Sequence, residues 1–394
     1  MKIVNIKITP VNIPLELPFM WSVGLYPGAT KIIIEVETDA GIVGLGEAPS
    51  FDCLSTLKEN LIPKLIGMDA FDIAACEQRC VPETKVAVNT DDCSILKAFG
   101  GIEMALWDLR GKAWQQPLYM LLGGAVRKEI PFSEYFALRP PKGNISGEST
   151  AKEIGAYCAK MHELHGSTFF EGKCAPGDVD LTVAMVKEIS EAVGNDAVIR
   201  LDANMGFSLT ASKHLLAKLE PYNIDNIEDP AATFDEMVKL RQHSPIPFSS
   251  HVPDIRLAAR LGVPDNICLN ITQLGGICRT LKCIAACEQF GLGFWFYSGD
   301  SGVASAAYLH LAAAVQHCHQ PSQSLFRWQN NNVIEEDLFN LKNNVVSVPE
   351  GYGLGVTLSP SNLRYCHELF KKEGSYDHYR HYGNSGRYLR LPLC

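Results

Sequence analysis

Three stretches decide the fold: Val198-Ile-Arg-Leu-Asp202, Ile227-Glu-Asp-Pro230 and Ile246-Pro-Phe-Ser-Ser-His251. Each is a short apolar run that closes on a group able to bind a cation, and the closing residues Asp202, Glu228 and His251 lie 26 and 23 residues apart. Each spacing is that of one strand plus its crossover helix. Outward from these stretches, short β-branched runs alternate with longer amphipathic ones from about Ile130 to Leu325, a pattern that predicts parallel strands joined by helices. The strand ends fall near Phe136, Glu171, Asp202, Glu228, Ser250, Ile271, Tyr297 and Phe326. Eight strands in about two hundred residues suit a closed β/α barrel.

The flanks read differently. Ile3 to Ile8, Lys31 to Thr38 and Ile42 to Gly46 form a predicted antiparallel meander, followed by helices near Leu57 to Ile66 and from Ser94 to Trp114. Residues 1–128 are therefore expected to be an α+β cap, 129–327 the barrel, and 328–394 a segment that returns to the cap. The polar, aromatic stretch Tyr376-Asp-His-Tyr-Arg-His-Tyr382 belongs to that return.

The chain has 394 residues, 46% hydrophobic and 20% charged, with a net charge of −9 and no basic run able to track a phosphate backbone. Nucleic acid is not an expected partner. Neither a signal peptide nor eighteen consecutive apolar residues can be read, so no membrane association is expected. Thirteen scattered cysteines without a Cys-x-x-Cys pair suit buried free thiols in a reducing compartment, the cytoplasm.

In a β/α barrel the loops after the strands build the site. Carboxylates at the ends of adjacent strands converge, and two like charges so placed need a cation. Asp202 and Glu228 are read as its ligands, with His251 third in the series. Each alone could be a helix cap, and Ser250 or Asp254 could cap in place of His251.

Further motifs carry a family resemblance: Gly101-Ile-Glu-Met-Ala-Leu-Trp-Asp-Leu-Arg-Gly-Lys112, Leu121-Leu-Gly-Gly124, Arg200-Leu-Asp-Ala-Asn204, Gln273-Leu-Gly-Gly276 and Gly353-Leu-Gly355. With Ile227–Pro230, they make the chain resemble the enolase superfamily, in its mandelate racemase, muconate-lactonizing and glucarate dehydratase branch. The resemblance implies a modified TIM barrel, (β/α)7β, an α+β cap built from both chain ends, and Mg2+ held by Asp202, Glu228 and His251. A galactarate-dehydratase-like group is similar in using His as third ligand. The branch commonly carries Lys-x-Lys on its second strand, the second Lys being a base; here Glu171-Gly-Lys173 keeps only that one. The family's sixth- and seventh-strand partners, Asp or Lys and then His, are replaced by Asn270 and Ser298.

The resemblance implies abstraction of the proton α to a carboxylate, with Lys173 as base. A site with one base suits β-elimination from an acid sugar better than racemisation or cycloisomerisation. A degenerate metal-binding member is the alternative outside catalysis. Glu171 shares a strand face with Lys173, so it should stabilise the ammonium form; it could itself be the base, bind a substrate hydroxyl, or serve only as an ion-pair partner. Leu17 to Gly28 occupies the family's specificity loop, with Gly24 and Gly28 as hinge candidates, and Trp21 and Tyr26 either close over the mouth or pack within the cap. Asn204 and Asn270 suit substrate recognition or helix capping, and Ser298 and Asp300 are placed beside them. The expected partner is a small carboxylate substrate, and a homo-oligomer is expected.

Overall fold

The computed structural model describes residues 1–81 and 94–376; most of the aromatic tail lies outside the described residues. Three antiparallel strands open the chain: β1 (Ile3–Trp21), β2 (Gly24–Thr38) and β3 (Val43–Ala48). Against them packs α1 (Ser94–Trp114), whose Ile102, Ala105, Leu106 and Leu109 are fully buried at helical spacing. Gly46 permits this contact, since a Cβ there would lie 1.9 Å from the Gly101 carbonyl oxygen.

Seven parallel strands follow in sequential order: β4 (Glu134–Phe136), β5 (Phe169–Lys173), β6 (Val198–Asp202), β7 (Ile224–Glu228), β8 (Phe248–Ser250), β9 (Asn266–Leu269) and β10 (Gly293–Phe296). They form the curled sheet of a modified TIM barrel. Among the crossover helices, α2 (Ala151–His165), α3 (Val179–Val193) and α4 (Leu209–Leu219) are capped by Thr150, Asp178 and Ser208, which accept from the third N–H beyond each cap. The later helices that matter to the site are α5 (Ile277–Phe290), α6 (Gly302–Ala314) and α7 (Pro360–Glu373).

Three expectations are corrected. The eighth strand near Phe326 is a 3-10 turn, Phe326–Trp328. Closure falls instead to residues 322–325, which hydrogen-bond on one side to Pro131 and Ser133 and on the other to Phe296 and Ser298. The sixth barrel strand ends at Leu269, and Ile271 starts a short helix, Ile271–Leu274. The presumed loop Leu17 to Gly28 is a β-hairpin whose pairs Phe19–Tyr26, Met20–Leu25 and Trp21–Gly24 surround a two-residue turn at Ser22 and Val23.

The C-terminal segment packs back on the cap. His367 in α7 bonds the Pro10 carbonyl, Asn12 donates to the Gly374 carbonyl, and the Tyr376 N–H donates to Thr30 Oγ1. Among the described residues no helix is long and apolar enough to cross a membrane.

Candidate active site

Strand register brings the quoted residues together. Lys173 lies opposite Asp202 and Asp202 opposite Glu228, so three neighbouring strands end on three charged groups at one level. Asp202 is 5% and Glu228 2% exposed. Lys173 donates to Asp202 Oδ2, and the Asn204 N–H to Asp202 Oδ1 at 2.8 Å. Asp202, Tyr135 and Glu228 hold the Lys173 ammonium well above its ordinary range, outweighing the opposing effect of burial.

His251 follows the end of β8. Its Nδ1 meets Asp229 Oδ2 at 2.6 Å and its Nε2 meets Glu228 Oε1 at 2.7 Å, while Tyr297 packs edge-on against the ring at 4.6 Å. A carboxylate that holds one ring nitrogen and leaves the other aimed at a second carboxylate is the pattern of a metal-ligating histidine with its supporting shell. Burial and then the charge of Asp202 push the Glu228 carboxyl upward against the pull of His251 and Lys173, and two buried carboxylates so close are stabilised by positive charge. The donor set therefore fits a divalent cation. Asn204, Met205 and Asp229 adopt positive φ values of 44°, 55° and 43°, a strain that concentrates at functional sites.

Glu171 and Lys173 do share a face, but they do not pair. Glu171 Oε2 accepts from Arg200 at 3.1 Å, and Arg200 also reaches Asp225 at 2.9 Å and the Pro321 carbonyl at 2.8 Å. Burial, with the charges of Glu228 and Asp202, pushes the Glu171 carboxyl up to about 7 against the pull of Arg200. The expectation that Glu171 is the partner setting the Lys173 ammonium is corrected: Asp202 takes that place, because it lies directly opposite on the next strand.

At the end of β10, Asp300 is engaged by Lys31 at 2.5 Å and by Asn270. Asn270 also accepts from Thr272 N–H at 2.8 Å, which makes it the cap of Ile271–Leu274. Ser298 Oγ accepts the Asp300 N–H at 3.1 Å. Both residues are thus committed to holding Asp300. Among the described residues, the Asn204 side-chain oxygen is buried without a hydrogen-bond partner. Trp21 and Tyr26 stand over the site: the Lys173 amine lies 5.8 Å from the Trp21 ring centroid, and Tyr26 packs edge-on to Trp21 and stacks on Phe19. The hairpin tip is tied down where Ser22 Oγ donates to the Asn204 carbonyl at 3.0 Å.

Sequence reasoning missed Lys31, Arg200 and Cys268. Lys31 and Arg200 were visible as lone charges inside apolar strands, Ala29–Ile34 and Val198–Leu201, where each demands a buried counter-charge. Cys268 lies on β9, and its sulfur, a carboxylate oxygen of Glu228 and a ring nitrogen of His251 all fall within 4.8 Å of one another.

The comparisons agree with this architecture. Residues 3–123 match the mandelate racemase / muconate lactonizing enzyme N-terminal domain, and residues 153–362 the enolase C-terminal domain-like family. An N-succinyl-L-Arg/Lys racemase of Bacillus cereus is 30% identical over 79% of this chain and 84% of its own. A D-xylonate dehydratase of Haloferax volcanii is 26% identical over 85% and 84%. A Pseudomonas fluorescens enolase crystallised with magnesium, potassium and tartrate superposes with a TM-score of 0.86 at 25% identity, covering 96% of this chain and 95% of that one. The chain belongs to the mandelate racemase / muconate lactonizing enzyme family within the enolase superfamily, whose members here include both racemases and acid-sugar dehydratases.

Proposed function

We propose that this protein dehydrates an acid sugar, an aldarate or aldonate, by removing the proton α to its carboxylate and expelling a β-hydroxyl. The observation that carries the reading is the asymmetry of the site: Lys173 faces it from one side, while Asn270 and Ser298 on the other side offer no base. A divalent cation held by Asp202, Glu228 and His251 would stabilise the negative charge that builds on the substrate carboxylate. With Asp202 so engaged, Lys173 is the amine placed to accept the α-proton. The C–H electron pair forms the double bond as the β C–O bond breaks, and the departing hydroxide needs a proton. Lys31 can give one but not take one: Asp300 and Glu47 hold its ammonium against the opposing effect of burial. The product enol then tautomerises to a 2-keto-3-deoxy acid. Trp21 and Tyr26 exclude water, and Asn204 is positioned to read a hydroxyl.

Racemisation is the second reading, favoured by the Bacillus cereus relative. Incubation with a panel of mono- and diacid sugars and N-acyl amino acids separates the two. Dehydration gives a 2-keto-3-deoxy product with Mg2+, Mn2+ or Zn2+ present; racemisation gives α-deuterium exchange with inversion and no keto acid. Exchange confined to N-acyl amino acids would overturn the dehydratase reading.

A further inference from the structure

Buried cysteines are commonly small core fillers, and most of the described cysteines of this chain pack within its hydrophobic clusters. Cys268 does not. It is fully buried at the level of His251, since Ile267 pairs with Ser250 one residue earlier on each strand. Strand alternation turns it to the same face as Asn270, toward the site. Among the described residues it forms the one group of histidine, cysteine and carboxylate with ligand atoms close enough to share an ion.

We propose that Cys268 is a ligand of the cation site, and that Glu228, His251 and Cys268 together select a borderline transition-metal dication such as Zn2+ over Mg2+. This rests on the cation reading of the site given above and concerns which ion the site takes. Mg2+ requires hard oxygen donors in near-octahedral array and keeps its waters. Sulfur and imidazole donors beside a carboxylate are the set that Zn2+ and Co2+ accept in low coordination. With Asp202 and Glu228 the site offers two carboxylates, but the other two donors, the His251 imidazole and the Cys268 sulfur, are ones that Mg2+ uses poorly.

Cobalt reports the ligands directly. The full-length protein, stripped with a chelator, is titrated with Co2+ and followed by absorption. The expected result is visible d–d bands together with an intense near-ultraviolet thiolate-to-cobalt band. In Cys268→Ser the ultraviolet band is lost and the d–d bands remain; Cys268→Ala serves the same purpose if serine impairs folding, judged by circular dichroism. Zn2+ affinity should fall by about tenfold or more in either variant while Mg2+ affinity stays within about twofold. A d–d spectrum with no thiolate band, or a thiolate band that survives both variants, overturns the sulfur ligand and leaves the cation site standing. Absence of any bound Co2+, Zn2+ or Mg2+ takes down the cation reading itself, and this proposal with it.

Discussion

Arg200 spans the inside of the barrel between Glu171 and the Pro321 carbonyl, with its guanidinium carbon 3.7 Å from the Trp295 ring centroid. It is fully buried, so its charge is tolerable only because Glu171 and Asp225 face it. Glu171 is then part of the floor beneath the site. Arg200→Leu should cost about 3–5 kcal/mol of unfolding free energy, because it leaves a buried carboxylate unpaired; adding Glu171→Gln should restore a large part of it in denaturant titrations. If the double variant is no more stable than the single, the pairing is not what holds Glu171. The reacting residues answer to a different measurement. Lys173→Met deletes the amine and keeps most of the stem, so α-deuterium exchange and dehydration should both drop by at least about a hundredfold. Asp202→Ala and Glu228→Ala should each abolish stoichiometric cation binding while leaving a cooperative unfolding transition. Wild-type exchange in Lys173→Met would leave this amine without a part in the chemistry.

At the scale of elements, the strands carrying Asp202, Glu228 and His251 were legible because apolar β-branched runs alternate with amphipathic helices. The closing segment Pro321-Ser-Gln-Ser-Leu325 was not, since its polar side chains carry no strand pattern, and those of Ser322 and Gln323 accept the Phe296 and Ser298 N–H groups beside the backbone pairs. The hairpin was hidden for a related reason: Pro18, Pro27 and two glycines read as a loop, although the pairing interrupts itself between Pro14 and Phe19 and resumes. Helix α6 shows the reverse case, a histidine with no signal beyond its apolar surroundings. His310 accepts the Tyr119 N–H on Nδ1 at 3.3 Å and donates from Nε2 to the Leu354 carbonyl at 3.1 Å, so it joins three segments as a neutral ring. Burial lowers its pKa to about 4, against the bond to Leu354. Between about 6.5 and 4 the unfolded chain binds a proton that the folded ring refuses, so the stability this residue contributes is intact above 6.5 and is lost as pH falls toward 4. The loss is on the order of 3 kcal/mol. In His310→Gln, whose amide can both accept and donate, that part of the acid limb should disappear from a pH series of unfolding free energies; an unchanged limb would mean the ring is not held neutral.

The whole molecule is joined by carboxylates that the cap lends to the barrel. Glu103 in α1 accepts the N–H groups of Ile277 and Cys278, the first residues of α5, at 2.5 and 2.9 Å. Glu47 in β3 accepts from Ser301 N–H at 2.9 Å and Ala304 N–H at 3.0 Å at the start of α6. Gly276 keeps a positive φ of 108° and no side chain because a Cβ would lie 2.3 Å from Glu103 Oε2. Two successive barrel helices thus bond N-terminal N–H groups to a carboxylate from another part of the chain, where the helix dipole favours an anion, with Ser301 adding its own side-chain cap at α6. The resemblance motifs Gly101–Lys112 and Gln273–Gly276 meet at this seam, which explains why they read as family signatures without containing a reacting group. The cap should therefore unfold with the barrel in one transition. Burial and the charge of Asp300 push the Glu47 carboxyl up to about 7. Above about 4.5 the unfolded chain has released a proton that the folded state still holds, so this group's contribution falls as pH rises from 4.5 to 7. The change is on the order of 3 kcal/mol, opposite in sign to that of His310. Glu47→Gln should remove that decline, seen as a wild-type-minus-variant difference that shrinks with rising pH. Glu103→Gln should cost about 1.5–3 kcal/mol by weakening charge-assisted bonds to α5. With both substitutions, cap and barrel should part into two calorimetric transitions, the cap melting first. A single transition in the double variant would mean that the apolar contacts along α1, and not the borrowed caps, hold the two parts together.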